Sequence, residues 1–187
     1  MTNETAIWQR LQANEPLAYA ELFDLHSTRV YRRALGILGN VHDAEDVTAA
    51  AFFELWRKHR GIRPVNGSVL PWLLVTVVNL CRNHVRGLAR YRATLNSLPR
   101  TERAVDPADI VAETLDGSRI LATINDLGRV DAALLVLTAV EGYSVAEAAA
   151  ALGLRPGAAR MRLSRARTRV RDIHRPQLNP ITEGDAP

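Results

Sequence analysis

The chain has 187 residues, room for one ordinary domain or two small ones, and its 47% apolar and 24% charged content is a globular balance rather than that of a disordered chain. The net charge is +4, and Lys58 is the only lysine, so the positive charge is almost wholly arginine. The single cysteine, Cys81, excludes an intrachain disulfide and a cysteine cluster for zinc, and no apolar run reaches the roughly 20 residues that span a bilayer.

The opening MTNETAIWQRLQANEP lacks the basic start and apolar core of a secretory signal, so a cytoplasmic protein is expected. Period-two alternation is missing, while apolar residues recur at helical spacing, which predicts an all-α chain. A first helix is expected over Glu4–Ala13, broken by Asn14-Glu15-Pro16. A second covers Leu17–Leu38, with Leu22, Leu25, Val30, Ala34 and Ile37 among its apolar positions, and Gly39-Asn40 ends it. A third begins near His42-Asp43 and carries Val47, Ala51, Phe52, Leu55 and Trp56. Residues 61–68 read as a loop. A fourth helix runs from Ser68 to about Arg90, with Pro71 tolerated in its first turn and Cys81 read as a buried, inert thiol. A tether of about 91–118 contains Pro99 and Pro107, and a second helical unit follows from Leu115 to Arg175. The tail PQLNPITEGDAP has no apolar pattern and is expected to be disordered.

Charge along the chain is strongly sorted. Arg57, Lys58, Arg60, Arg63, Arg82, Arg86, Arg90 and Arg92 occupy a stretch without Asp or Glu. Seven arginines from Arg155 to Arg171 form a second acid-free stretch. Between the two lie Asp106, Asp109, Glu113 and Asp116. Two basic blocks about an acidic connector suggest two surfaces that face polyanions, because phosphate backbones are drawn by charge and counterion release. Each block alone could equally be a solvated helix face.

The stretch AAAALGLRPGAARMRLSRAR decides between these readings for the second block. Ser144 and Glu147 fit a capping box; Val145, Ala148, Ala149 and Leu152 give a helix that a neighbour can approach closely; Gly153 supplies a turn. Pro156 opens the next helix, with Ala159, Leu163, Ala166 and Val170 on one face and Arg160, Met161, Arg162, Ser164, Arg165 and Arg167 on the others. That is a helix-turn-helix whose second helix can enter a major groove by its N-terminal end. An arginine there can read a guanine edge or pin a phosphate, and the sequence does not say which does which. No catalytic, metal or cofactor site is expected: His26, His42, His59, His84 and His174 are scattered, and Cys81 has no evident base partner.

From these residues a resemblance follows. LTAVEGYSVAEAAAALGLRPGAARMRLSRARTRVR resembles the fourth conserved region of sigma-70 family RNA polymerase sigma factors, in the small extracytoplasmic-function (ECF) group. Leu137, Glu141, Gly142, Ser144, Leu152, Gly153, Arg162, Leu163, Arg165, Ala166 and Arg167 carry it. Ala44-Glu45-Asp46 followed by Phe52 and Trp56 resembles the second conserved region, and Trp72, Leu73, Asn79 and Arg86 continue it in register. Ala49 and Ala50 stand where the family usually has Gln and an acid, and Asn83 where it usually has Asp.

The resemblance implies two small helical domains: residues 1–92 for core polymerase and the −10 element, and residues 115–175 for the −35 element. A flexible acidic linker (93–114) joins them, and a tail (176–187) follows. By the same resemblance, Glu45, Asp46, Phe52, Leu55 and Trp56 face the clamp helices of the largest polymerase subunit, and the flap of the second subunit is a further contact. For the −10 strand, Asn66, Trp72 and Asn79 would touch bases, while Arg63, Arg82, Arg86 and Arg90 would line the backbone. Arg155, Gly157, Ala158, Arg160, Met161, Arg162, Arg165 and Arg167 would meet the −35 duplex. The implied partners are core RNA polymerase, promoter DNA and an anti-sigma factor, with no membrane insertion and with nucleoid association when bound to polymerase. The alternative is a two-domain helix-turn-helix activator that does not replace a sigma factor.

Overall fold

The computed structural model describes residues 4–96 and 126–173. The expected tail, and all but the first few residues of the expected linker, lie outside the described residues.

Four helices build the N-terminal unit. Helix α1 (Glu4–Gln12) buries Ile7, Trp8 and Leu11. Arg10 clasps it to the next helix, reaching Glu15 and Glu21. Helix α2 (Pro16–Leu38) starts on a proline, whose missing N–H has no helical partner there. It stops at Gly39, where φ is +67° and the amide donates to the Leu35 carbonyl at 2.8 Å. Its buried stripe is Ala18, Leu22, His26, Val30, Ala34 and Ile37. The expected core residue Leu25 is instead 43% exposed, and His26 takes the inward position one residue on. A histidine is tolerated there because its Nε2 lies 2.8 Å from the Glu4 carboxylate.

Helix α3 (Val41–Lys58) begins at Val41, next to the expected His42-Asp43 start. Asn40 caps it, its Oδ1 accepting from the Asp43 amide at 3.0 Å. A short 3₁₀ turn (His59–Gly61) and a loop lead to helix α4 (Leu70–Asn96), which packs against α2 and α3. This helix runs past Arg90, where it was expected to end.

The second unit comprises α5 (Arg129–Leu135), a π-helical segment (Val136–Val140), α6 (Val145–Ala151) and α7 (Pro156–Ile173). The expected start of this unit, residues 115–125, lies outside the described residues. Leu127, Ala132, Ala133, Leu134, Val136, Leu137, Ala148, Ala149, Ala159, Leu163 and Ala166 are its buried residues. Among the described residues there is no strand, only an isolated antiparallel bridge between Val65 and Ser68. No described helix is long and apolar enough to cross a membrane.

Candidate nucleic-acid interface

The helix-turn-helix is built as its sequence suggests. The Ser144 Oγ accepts from the Glu147 amide at 3.2 Å, and the Glu147 carboxylate accepts from the Ser144 amide at 2.8 Å. These bonds satisfy two donors that a helix start leaves open. The hydrogen bond from Ser144, with the others it receives, holds the Glu147 carboxyl below its ordinary value. At the other end Gly153 (φ +66°) turns the chain: the Leu154 amide donates to Ala149 and the Gly153 amide to Ala150. Ala148, Ala149 and Ala159 are fully buried.

Arg155, just before α7, and Gly157, Ala158, Arg160, Met161, Arg165 and Arg167 on it are all exposed. Arg162 departs from that set. It is half-buried and donates to Asp131 of α5 at 2.9 Å, so it ties α7 to α5. Its sequence position on the arginine-rich side gave no sign of this partner, 31 residues away.

The loop before α4 ends in a two-residue hairpin. Val65 and Ser68 exchange backbone hydrogen bonds at 2.9 and 3.0 Å across Asn66 (φ +53°) and Gly67 (φ +79°). Two positive φ values suit the Asn-Gly pair. The turn lifts Asn66 outward, and α1 braces it from beneath. The Glu4 carboxylate accepts from the Val69 amide at 2.7 Å while it holds His26, and Thr5 stands directly under Gly67. Burial pushes the Glu4 carboxyl up, but the hydrogen bonds from His26 and the Val69 amide, with the His26 charge, together bring it below its usual value.

Along α4 the candidates behave differently from one another. Arg63 in the loop and Arg86 and Arg90 on the helix are exposed. Trp72 is half-buried and packs on the core. Asn79 is partly buried, with its side-chain oxygen unpartnered. Arg82, expected to line a DNA backbone, is only 3% exposed and donates to the Leu127 carbonyl of the second unit. Burial depresses its pKa, and the positive charges of Arg86 and Arg129 add to the effect. In this conformation Arg82 cannot touch DNA.

The expected polymerase face needs a correction. Phe52 (1% exposed) and Leu55 (0%) are core residues, with the Phe52 ring 4.7 Å from that of Phe23. Glu45 and Asp46 are exposed near the start of α3, and Trp56 is 56% exposed near its end. Beside Trp56 lies Phe53, 57% exposed, their ring centres 6.3 Å apart. The two rings border a groove of about 570 Å³ also lined by Leu11, Pro16, Tyr19 and Ala49. The sequence signal for Phe53 was available: Ala49, Phe53 and Trp56 share a stripe offset from the core stripe Val47, Ala51, Phe52 and Leu55.

Comparison with known proteins joins the two units. Sigma-70 region 2 matches residues 22–91, and Sigma-70 region 4 matches residues 118–170. The chain belongs to the sigma-70 family of RNA polymerase sigma factors, in its ECF group. The chain is 33% identical over 160 residues to the ECF sigma factor SigE of Mycolicibacterium smegmatis, a match covering 83% of this chain and 61% of SigE. It is 29% identical over 153 residues to the ECF sigma factor BldN of Streptomyces coelicolor, covering 80% of this chain and 58% of BldN. The aligned part of the chain thus spans about three-fifths of the length of these two relatives. A match to the sigma factor CarQ of Myxococcus xanthus, at 28% identity, covers 83% of this chain and 88% of CarQ.

Among solved structures, CnrH in complex with the cytosolic domain of CnrY resembles this sigma factor in fold, with a TM-score of 0.58 at 24% identity over 91% of this chain and 96% of that one. The sigma factor RpoE of Bartonella quintana, in complex with the anti-sigma factor NepR, has a TM-score of 0.51 at 21% identity over 83% of this chain and 95% of that one. Helix α1, and with it Glu4 and Thr5, precedes the matched region 2 segment, so the brace under the Asn66 turn lies outside the part of this sigma factor that carries the family pattern.

Proposed function

We propose that the chain is a transcription initiation factor: it binds core RNA polymerase, directs it to specific promoters and assists strand separation. One observation carries this reading. A single chain sets an arginine-bearing helix behind a raised Asn66 turn, and then a capped helix-turn-helix with an exposed arginine face, in the order of sigma regions 2 and 4.

In this reading the N-terminal unit, through Asn96, holds the −10 strand and polymerase, and the unit that closes near residue 175 meets the −35 duplex. Asn66 and Asn79 face bases, with Trp72 stacking from its half-buried seat, while Arg63, Arg86 and Arg90 follow the phosphates. Arg155, Arg160, Arg165 and Arg167, with Gly157, Ala158 and Met161, enter the major groove. Glu45, Asp46, Trp56 and Phe53 form the polymerase contact, the two rings supplying buried apolar area on docking. Strand separation draws on binding: each unstacked base costs a few kcal/mol, offset by capture of the single strand. An anti-sigma factor is a partner of the same reading, since the similar RpoE of Bartonella quintana was solved in complex with the anti-sigma factor NepR. The site of action is the cytoplasm, at the nucleoid when polymerase is bound.

Runoff transcription with purified core polymerase on genomic fragments tests the proposal. Discrete transcripts that require the chain are expected. Absence of both transcripts and binding to core polymerase, with the chain folded and no inhibitor present, overturns it.

A further inference from the structure

The side chain assigned above to a promoter base is not held by its own unit. Among the described residues the Asn66 amide donates to the Glu147 carboxylate of the second unit, at 2.7 Å, and to no group of the N-terminal unit. Its aim within that unit is therefore set by backbone, the bridge between Val65 and Ser68 with two positive φ values inside it. What fixes the far end of this turn comes from the opposite end of the unit. The Glu4 Oε1 accepts from the Val69 amide at 2.7 Å, across 65 residues of sequence. The Val69 carbonyl accepts the first helical bond of α4, from the Leu73 amide at 3.1 Å. Glu4 thus meets a donor that a helix start leaves open and sets negative charge at the positive end of α4.

Glu4 is itself anchored. The same oxygen lies 2.8 Å from His26 Nε2, and His26 is 5% exposed within the buried stripe of α2. A polar group in such a stripe is costly unless it finds a partner, so the histidine and the carboxylate hold one another in place. Thr5, the next residue, closes the space under the turn: a Cβ at Gly67 would lie 2.6 Å from its Oγ1. One line of contacts therefore runs from the core of α2 through Glu4 to Val69 and ends at the exposed carboxamide of Asn66. That carboxamide carries a donor and an acceptor side by side, which a base edge of the opposite arrangement can match with two hydrogen bonds. Such a match depends on holding the group to within about 0.5 Å, which falls to the residues behind it.

We propose that Glu4, anchored by His26, is a positioning residue for promoter recognition: it fixes the turn so that Asn66 selects one base of the −10 strand. The proposal rests on the assignment of Asn66 to a base. Glu4 precedes residues 22–91, which match Sigma-70 region 2, so this determinant of selectivity lies outside the family pattern. Loss of the grip on Val69 leaves α1 seated, because Ile7, Trp8 and Leu11 still bury its inner face. The effect falls on discrimination between bases rather than on assembly of the unit.

The test uses the full chain with core polymerase, in runoff from a promoter found on the genomic fragments, its −10 bases replaced one at a time by each of the other three. Wild type is expected to prefer one base at one position by about tenfold, the size of a good amide-to-base pair, and Asn66→Ala to erase that preference alone. Glu4→Ala should reduce the same preference to about threefold or less, as when one of two hydrogen bonds is lost, with preferences at the other positions kept. Gln9→Ala, at an exposed position of α1, should change nothing. The readout is a ratio between bases, so a smaller folded fraction, which lowers all transcripts alike, does not move it. If Glu4→Ala fails to fold, Glu4→Gln keeps the shape of the side chain while weakening its acceptance, and the same ratio is read.

Transcripts from every template lowered in equal proportion by the Glu4 variants, with the base ratio kept, overturn the positioning role. A ratio that Asn66→Ala leaves at the wild-type value overturns it too, and strikes the base assignment while initiation by the chain stands. Wild-type chain that yields no transcript on any template overturns the initiation reading, and this proposal with it.

Discussion

Gly67→Ala isolates the turn that presents Asn66. The backbone at Gly67 has φ +79°, a region where an L side chain costs about 1–2 kcal/mol. A Cβ placed there would lie 2.6 Å from the Thr5 Oγ1, well inside contact distance. Thr5 is exposed and can turn aside, at about 0.5–1.5 kcal/mol for a poorer rotamer. The two effects together predict a loss of about 2–3 kcal/mol, or roughly 5–10 °C in Tm for a chain of this size. Thr5→Ala in the same background removes only the second effect and should recover about 1 kcal/mol, a coupling that a double-mutant cycle in urea reads directly. The larger share is therefore conformational and survives the rescue. A Gly67→Ala protein within 0.5 kcal/mol of wild type would refute the left-handed turn. Equal losses with and without Thr5→Ala would refute the brace.

Three further outcomes are expected. Phe52→Ala should lose about 3–5 kcal/mol in chemical denaturation, whereas Trp56→Ala should stay within about 0.5 kcal/mol and instead weaken core polymerase binding by roughly 30-fold, measured by fluorescence anisotropy. Because the folded Glu4 carboxyl lies below its usual value of 4.5, its contribution to stability is present above that pH and is lost as pH falls through the lowered value. Glu4→Gln should flatten that acid limb and speed hydrogen exchange at the Val69 amide at neutral pH. Burial pushes the Cys81 thiol up to about 12, so the native protein should resist thiol reagents at pH 8 and react at once in denaturant; brisk native labelling would contradict its burial.

The helices were legible because each amphipathic stripe repeats over several turns and each end is punctuated, by Gly39 and Asn40 in one case and by Ser144, Glu147 and Gly153 in another. The helix-turn-helix could be read almost residue by residue, since its caps and turn are local. Errors arose where one residue's offset decides inward from outward. Leu25 and His26 exchanged places because a histidine with a carboxylate partner can outcompete a leucine for the core, and the partner Glu4 is 22 residues away. Phe52 and Phe53 are adjacent, and only the phase of the whole helix separates them. The contacts of Arg82 and Arg162 were beyond a linear reading: each depends on a backbone or acid brought from a distant segment, and an arginine's sequence context does not reveal that partner.

The alanines between the two helices of the helix-turn-helix carry a mechanical consequence. With Ala148, Ala149 and Ala159 fully enclosed, the spacing of the pair is set by bare methyl groups. One added carbon there has nowhere to go except to pry the helices apart, tilting every arginine that follows. If α7 reads DNA as proposed, its aim hangs on side chains that lie buried away from its exposed arginine face, and a change in them would alter that aim as well as the packing.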